Sequence, residues 1–158
     1  NGLKKAGGIL PARTSKGERK MKELKIETGV QEYDLNGKCK VLFNPSDPAF
    51  ADKLYTAFEN LQKKQEKQQA EIENMTTRET FDYLNQLDIE MRSIIDGIFG
   101  QPVCDQLFGT LNVYAVAGGT PLWMNLVLAI MDELDEGIKR EKAFHNEKLA
   151  KYTKKYRR

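Results

Sequence analysis

A chain of 158 residues with 30% charged and 40% apolar side chains is long enough for one domain with a sizeable core. It has no run that could cross a bilayer, which needs roughly 20 consecutive apolar residues; the longest apolar stretch, Pro121 to Met131, is interrupted by Asn125, and residues 1–20 lack the apolar centre of a secretory signal. The net charge of +2 hides a sorting: residues 1–20 carry +5, 21–136 carry −10 and 137–158 carry +7, an acidic body with two basic ends that suit acidic partners.

Residues 1–20 are rich in Gly, Lys and Arg and read as a basic flexible arm, an upstream extension or residues foreign to the natural chain, with Met21 a plausible start. From Leu24 the pattern alternates. Leu24 and Ile26 sit between charged residues. Val30, Tyr33 and Leu35 lead into Asn36-Gly37, followed by Cys39, Val41 and Phe43. Asn-Gly between such runs marks a hairpin, because a type I′ turn needs positive φ at both central positions. The pattern predicts strands near 23–27, 30–35 and 38–43.

Asn44-Pro45-Ser46-Asp47-Pro48 stops the strand and starts a helix, with Ser46 as the expected cap and Pro48 in the first turn. Phe50, Leu54, Phe58 and Leu61 line one helical face. Residues 62–71 are almost all Gln, Lys and Glu, which predicts a solvated far half projecting from the body and ending near Asn74. Thr76-Thr77-Arg78-Glu79 is a capping box. It opens a helix whose stripe is Phe81, Leu84, Leu87, Met91, Ile94, Ile95 and Ile98, terminated by Gly100 and Pro102. A short helix is expected over 102–108, ending at Gly109. Residues 111–117 are ambiguous between strand and helix. Gly118-Gly119 then breaks the chain, Thr120 caps, Pro121 takes the first helical position, and a helix runs from Leu122 to at least Ile138. Trp123, Leu126, Val127, Ile130 and Met131 make it the central core helix. Phe50, Phe58, Phe81, Met91, Phe99, Trp123, Met124 and Met131 are the expected large core side chains. Residues 137–158 form a basic tail, helical or disordered, with sparse apolar residues.

No catalytic constellation emerges. The single histidine, His145, lies in the basic tail among polar neighbours. Cys39 and Cys104 belong to no paired motif, fit a reducing compartment, and read as small core hydrophobes rather than zinc ligands. Neither phosphate-loop pattern occurs. Gly118-Gly119 before Thr120 reads as an interhelical turn, and Asp132, Glu133, Asp135 and Glu136 read as a solvated acidic face rather than a cation site. No catalytic residue, metal or cofactor is expected. The basic tail offers Lys148, Lys151, Lys154, Lys155, Arg157 and Arg158, with Tyr152 and Tyr156 interleaved. Such a surface reads first as a solvated tail; as a binding surface it suits an acidic protein before nucleic acid.

Phe43-Asn44-Pro45-Ser46-Asp47-Pro48-Ala49-Phe50, then Ile94-Ile95-Asp96-Gly97-Ile98-Phe99-Gly100, Leu107-Phe108-Gly109 and the late apolar helix together resemble the tail assembly chaperone-like proteins of Gram-positive siphophages and prophages. The likeness covers about residues 21–136; the basic arm at 1–20 departs from it. The resemblance implies a non-enzymatic protein in the host bacterial cytoplasm that coats helical segments of the tape measure protein and attracts tail-tube subunits. Phe99 and Phe108 would then belong to the partner-binding or packing segment, with the tail lysines recruiting an acidic tube subunit. A homo-oligomer is compatible with this reading, and a membrane is not involved. The competing reading is a phage-encoded adaptor or inhibitor that binds a host protein or nucleic acid through its charged surfaces.

The expected fold is α+β: a small N-terminal antiparallel hairpin or three-stranded sheet packed on a bundle of three or four helices. Its expected divisions are an arm over 1–20, one mostly helical domain over 21–136, and the tail over 137–158.

Overall fold

A computed structural model describes residues 20–156. Apart from Lys20, the basic arm lies outside the described residues, as do Arg157 and Arg158. In chain order the elements are β1 (Gln31–Leu35), β2 (Cys39–Phe43), α1 (Pro48–Ile72), α2 (Thr77–Phe99), α3 (Val103–Phe108), β3 (Val116–Ala117), β4 (Thr120–Pro121) and α4 (Leu122–Tyr156). The class is α+β, a hairpin followed by four helices.

β1 and β2 pair antiparallel, with Gln31 opposite Phe43 and Leu35 opposite Cys39. Asn36 and Gly37 turn the hairpin with φ of 56° and 70°, the left-handed pair a type I′ turn requires. Alternation then decides the faces: Cys39, Val41 and Phe43 are buried while Lys40 and Leu42 are exposed. The sheet has two strands rather than three. Residues 23–27, whose alternation predicts a strand, form none among the described residues, and all are exposed.

Rings join the hairpin to the helices. Tyr33 stacks on Phe43 at 4.4 Å, Phe43 on Phe50 at 4.5 Å, and Phe50 tilts against Phe99 at 6.0 Å. This ladder runs from β1 through β2 and the start of α1 to the last turn of α2, and offset or tilted ring pairs add to plain area burial.

Asp47, not Ser46, caps α1: its Oδ1 accepts from the Ala49 N–H at 2.9 Å. Ser46 is diverted to Asn44, whose Oδ1 accepts from both its N–H and its hydroxyl. The capping box of α2 forms as its sequence requires, with Thr76 accepting from the Glu79 N–H and Glu79 from the Thr76 N–H. Gly100 closes α2 in the left-handed conformation at φ 70°.

The polar far half of α1 does not project alone. The short connection after Ile72 folds α2 back antiparallel to it, and hydrophilic pairs stitch the two. Lys64 Nζ meets Glu90 Oε2 at 2.9 Å, and the Tyr83 hydroxyl donates to Glu71 at 2.5 Å. Phe81, expected in the core, is 61% exposed because it lies in the first turns of α2, beyond the apolar part of α1.

The chain between α3 and α4 is held by polar side chains of α2. Arg92 Nε meets Asp88 at 3.0 Å, its Nη1 meets Asp105 at 2.7 Å, and its Nη2 donates to the Gly109 and Leu111 carbonyls at 2.9 and 2.6 Å. Asp88 accepts the Val113 N–H at 2.8 Å, Asp96 accepts the Cys104 N–H at 2.9 Å, and Asn112 donates to the Leu84 carbonyl at 3.2 Å. These bonds supply partners for backbone groups that neither helix nor sheet provides.

Thr120 and Pro121 do not start α4. They pair with Val116 and Ala117 across the Gly118-Gly119 turn, where φ is 66° and 91°. The ambiguous 111–117 stretch is therefore mostly loop, with only Val116–Ala117 as strand. The Leu122 and Trp123 N–H groups donate instead to the Ala115 and Val113 carbonyls at 2.8 and 3.1 Å, so loop backbone replaces the expected side-chain cap. Trp123 is fully buried and packs in one cluster with Leu54, Leu61, Ile95, Val103, Val113, Val127 and Leu134.

Candidate partner-binding site

α4 is one helix of 35 residues, roughly 50 Å long at 1.5 Å per residue. Its first half belongs to the core through Trp123, Leu126, Val127, Ile130 and Leu134. From Glu141 to Lys155 every residue is exposed. The basic tail is thus a continuation of the core helix.

The hairpin grips α4 where it leaves the core. The Tyr33 hydroxyl donates to Glu133 Oε2 at 2.6 Å, and Arg140 Nη2 donates to the same oxygen at 2.8 Å. One turn on, Gly137 is buried against Pro45. A Cβ on Gly137 would stand 2.6 Å from Pro45 Cβ and 2.7 Å from Cγ, so the absence of a side chain lets the turn after β2 rest on the helix. Glu133, expected as part of a solvated acidic face, is instead the shared acceptor of this clamp. Its carboxyl is held below the ordinary range, chiefly by the Tyr33 hydroxyl and then by Arg140. Burial and the neighbouring Glu133 push the Tyr33 phenol up to about 12.

These shifts set a pH window. Glu133 is favoured as an anion in the fold, so its contribution is complete above the ordinary Glu pKa of about 4.3 and fades as pH falls through the lowered folded value. Tyr33 is favoured as a neutral donor, so its contribution is complete below about pH 10 and is lost as pH rises toward its folded pKa of about 12. Tyr33→Phe is expected to cost about 1 kcal/mol at pH 7, a melting shift of about 2–4 °C. The difference from wild type should shrink below about pH 4, as thermal melts at several pH values will show.

Past the clamp, the four described lysines of the expected partner surface, Lys148, Lys151, Lys154 and Lys155, do not form one patch. Lys148, Lys151 and Lys155 follow i, i+3, i+7 and share one side, while Lys154 lies further round the helix. Beside them runs a second stripe that the sequence reading passed over as sparse. Ile138, His145, Leu149 and Tyr152 succeed one another at steps of seven, four and three, and the three apolar members are each about half exposed, at 46%, 55% and 52%. Phe144 lies on a neighbouring side and lines a crevice of about 580 Å³ shared with residues 27–31 and Asn44.

Phe99 and Phe108 are placed elsewhere. Both are partly buried and pack on the core cluster, Phe99 as the last ring of the aromatic ladder. Neither meets the tail lysines. A separate open groove of about 840 Å³ lies along α1 and reaches α2 at Ile94, lined by Ala57 and Leu61 with Asp52, Lys53, Lys63 and Lys64 beside them. Cys39 and Cys104 are buried free thiols; burial raises both, Cys104 to about 12, so neither is poised as a thiolate.

No family model, curated protein or solved structure matches the chain.

Among the described residues, no group of His, Cys, Asp or Glu could hold a metal ion, and no helix is long and apolar enough to cross a membrane. The arrangement offers an exposed helix with lysines beside an apolar stripe, anchored rigidly at its base. Such a helix can lay its stripe against another helix while the lysines meet acidic flanks. What sequence reasoning missed was the clamp. Its signal was Gly137, a glycine inside a helical pattern, which marks a close approach by another segment.

Proposed function

We propose that the chain is a non-enzymatic phage tail assembly chaperone-like protein that binds helical segments of the tape measure protein, tail-tube subunits, or both. One observation carries this reading. The extension of α4 leaves Leu149, Tyr152 and Phe144 exposed among lysines, on a helix fixed to the core by Tyr33, Glu133, Arg140 and Gly137. Apolar side chains that stay about half exposed on a solvated helix gain further free energy when a partner covers them. The lysine-flanked groove along α1, which reaches Ile94 of α2, offers a further apolar surface. The sequence likeness at Phe43–Phe50, Ile94–Gly100 and Leu107–Gly109 supports the same role.

The test is co-purification of the full chain with a helical tape measure fragment. Wild type should retain the fragment. Leu149→Asp/Tyr152→Asp should lose it, by at least tenfold in affinity, because two charges enter the apolar contact. Melting should be unchanged, since both positions lie outside the core. Retention by the double variant would remove the extension as the binding surface.

The lysines keep a second reading in play, an adaptor or inhibitor that binds a host protein or nucleic acid electrostatically. Binding of that kind weakens steeply with salt, whereas an apolar helix contact does not. A salt titration of the captured complex separates the two.

A further inference from the structure

Residues 20–28 are exposed without exception, and their sequence is not that of a solvated loop. Leu24 and Ile26 are 74% and 77% exposed, and with Thr28 they occupy alternate positions, while Lys25 and Glu27 occupy the positions between. Period-two alternation of this kind fits a pleated strand with one covered face. No partner strand exists for it among the described residues, and no backbone–backbone hydrogen bond ties it to them.

The segment is also kept from extending β1. Gly29 turns at φ 74°, and Asn44 Nδ2 donates to the Thr28 carbonyl at 2.7 Å from beneath that turn. A Cβ on Gly29 would stand 2.6 Å from the same Asn44 nitrogen. The chain is therefore pinned at Thr28–Gly29, and the alternating residues before it are left with unpaired backbone groups. An edge of this kind is a template for another strand.

The charges identify the strand that fits. In an antiparallel pair of two identical segments centred on Ile26, Ile26 lies opposite Ile26 of the second copy and Leu24 lies opposite Thr28. On the other face Lys25 lies opposite Glu27, and Glu27 opposite Lys25. Opposite charges across a ladder are favourable and like charges unfavourable. Neighbouring registers do worse. Centring on Lys25 sets Lys25 against itself and Glu23 against Glu27. Centring on Leu24 sets Ile26 against Lys22. The Ile26 register opposes no like charges and keeps Leu24 against uncharged Thr28, whereas the Leu24 register, also free of like-charge pairs, spends Ile26 on Lys22.

We propose that residues 24–28 are a dimerisation strand that pairs antiparallel with the same residues of a second copy, about a two-fold axis at Ile26. A two-fold contact closes on itself and gives a dimer rather than a fibre. The proposal does not rest on the helix-binding role, and its readout is the mass of the protein alone.

The experiment is sedimentation or light scattering of the full chain over a concentration series. Wild type should reach twice the monomer mass. Lys25→Glu, which sets a carboxylate against Glu27 in both of the symmetry-related pairs, should stay monomeric, and Lys25→Glu/Glu27→Lys should dimerise again because the opposite charges are restored in exchanged places. Ile26→Cys should link two copies through a single disulfide under mild oxidation, since directly opposed residues of a ladder stand within disulfide range. None of these positions touches the core, so each variant should melt as wild type does when monomeric. A monomeric wild type, a dimer indifferent to Lys25→Glu, failure of the charge exchange to rescue, or assemblies larger than a dimer would overturn the proposal.

Discussion

Arg92→Ala should lower stability by about 3 kcal/mol, a fall in melting temperature of about 6–12 °C for a chain of this size. Arg92 is only 15% exposed, and its guanidinium serves four acceptors on three segments: Asp88 on its own helix, Asp105 on α3, and the carbonyls of Gly109 and Leu111 in the following loop. The exposed Asp105 pair contributes little. The loss comes from the two carbonyls and from Asp88, 19% exposed, which also accepts the Val113 N–H. Truncation leaves these acceptors without their donor and frees the loop that feeds Trp123 into the core. Arg92→Lys should recover only part of the stability, because one ammonium cannot reach four acceptors in a planar fork. Hydrogen exchange at Val113 and Tyr114 should accelerate before exchange in α1 does. A melting point unchanged in Arg92→Ala would show that the loop holds itself.

Gly137→Ala is the second large effect, and its sign is opposite to the usual one. Alanine inside a helix normally stabilises by up to about 1 kcal/mol over glycine. Here the added methyl would meet the Pro45 ring at 2.6 Å. Overpacking of this sort costs about 1–3 kcal/mol, and neither a helix backbone nor a proline ring yields easily. The net expectation is a loss of about 1–2 kcal/mol, seen as a melting shift. The tyrosine absorbance titration gives a second readout. Displacing the turn from α4 should loosen the Tyr33–Glu133 bond and bring the Tyr33 titration down from about 12 toward the ordinary 10. Pro45→Gly in the same chain should restore part of the loss, because it removes both close atoms; non-additivity of the two substitutions measures their contact.

Much of the architecture could be read from local chemistry. Asn36-Gly37 between alternating runs gives the hairpin, Thr76 with Glu79 gives the start of α2, and Gly100 gives its end, because each is an interaction within a few residues. Trp123 and its apolar neighbours announce the core helix by spacing alone. One failure is local, the α1 cap, where Ser46 is held by Asn44 and Asp47 caps instead; the others are long-range. The far half of α1 looks like a solvated rod until Glu90 and Tyr83 of α2 lie beside it. The start of α4 looks like a Thr-Pro cap until loop carbonyls, reached only through Arg92 and Asp88, take the first N–H groups. Residues 23–27 have a strand's composition and no strand to join. As for the candidate site, the tail lysines were visible as charge. The clamp of Tyr33, Glu133, Arg140 and Gly137 joins residues about a hundred positions apart, and no short-range pattern encodes that. Phe99 and Phe108, which the resemblance assigns to a partner-binding or packing segment, have rings that pack on the core.

The length and stiffness of α4 have an electrical outcome. Residues 137–156 carry seven basic side chains against two acidic ones, +5, and residues 21–136 carry −10, so the last turns of α4 hold positive charge away from a negative mass and give the described residues a permanent electric moment. In the field of an anionic particle such a molecule experiences a torque that turns the helix tip forward. Salt confines the torque to roughly the last 8–10 Å of approach, so it chooses which end arrives first and raises the rate of productive encounters more than it strengthens the final grip.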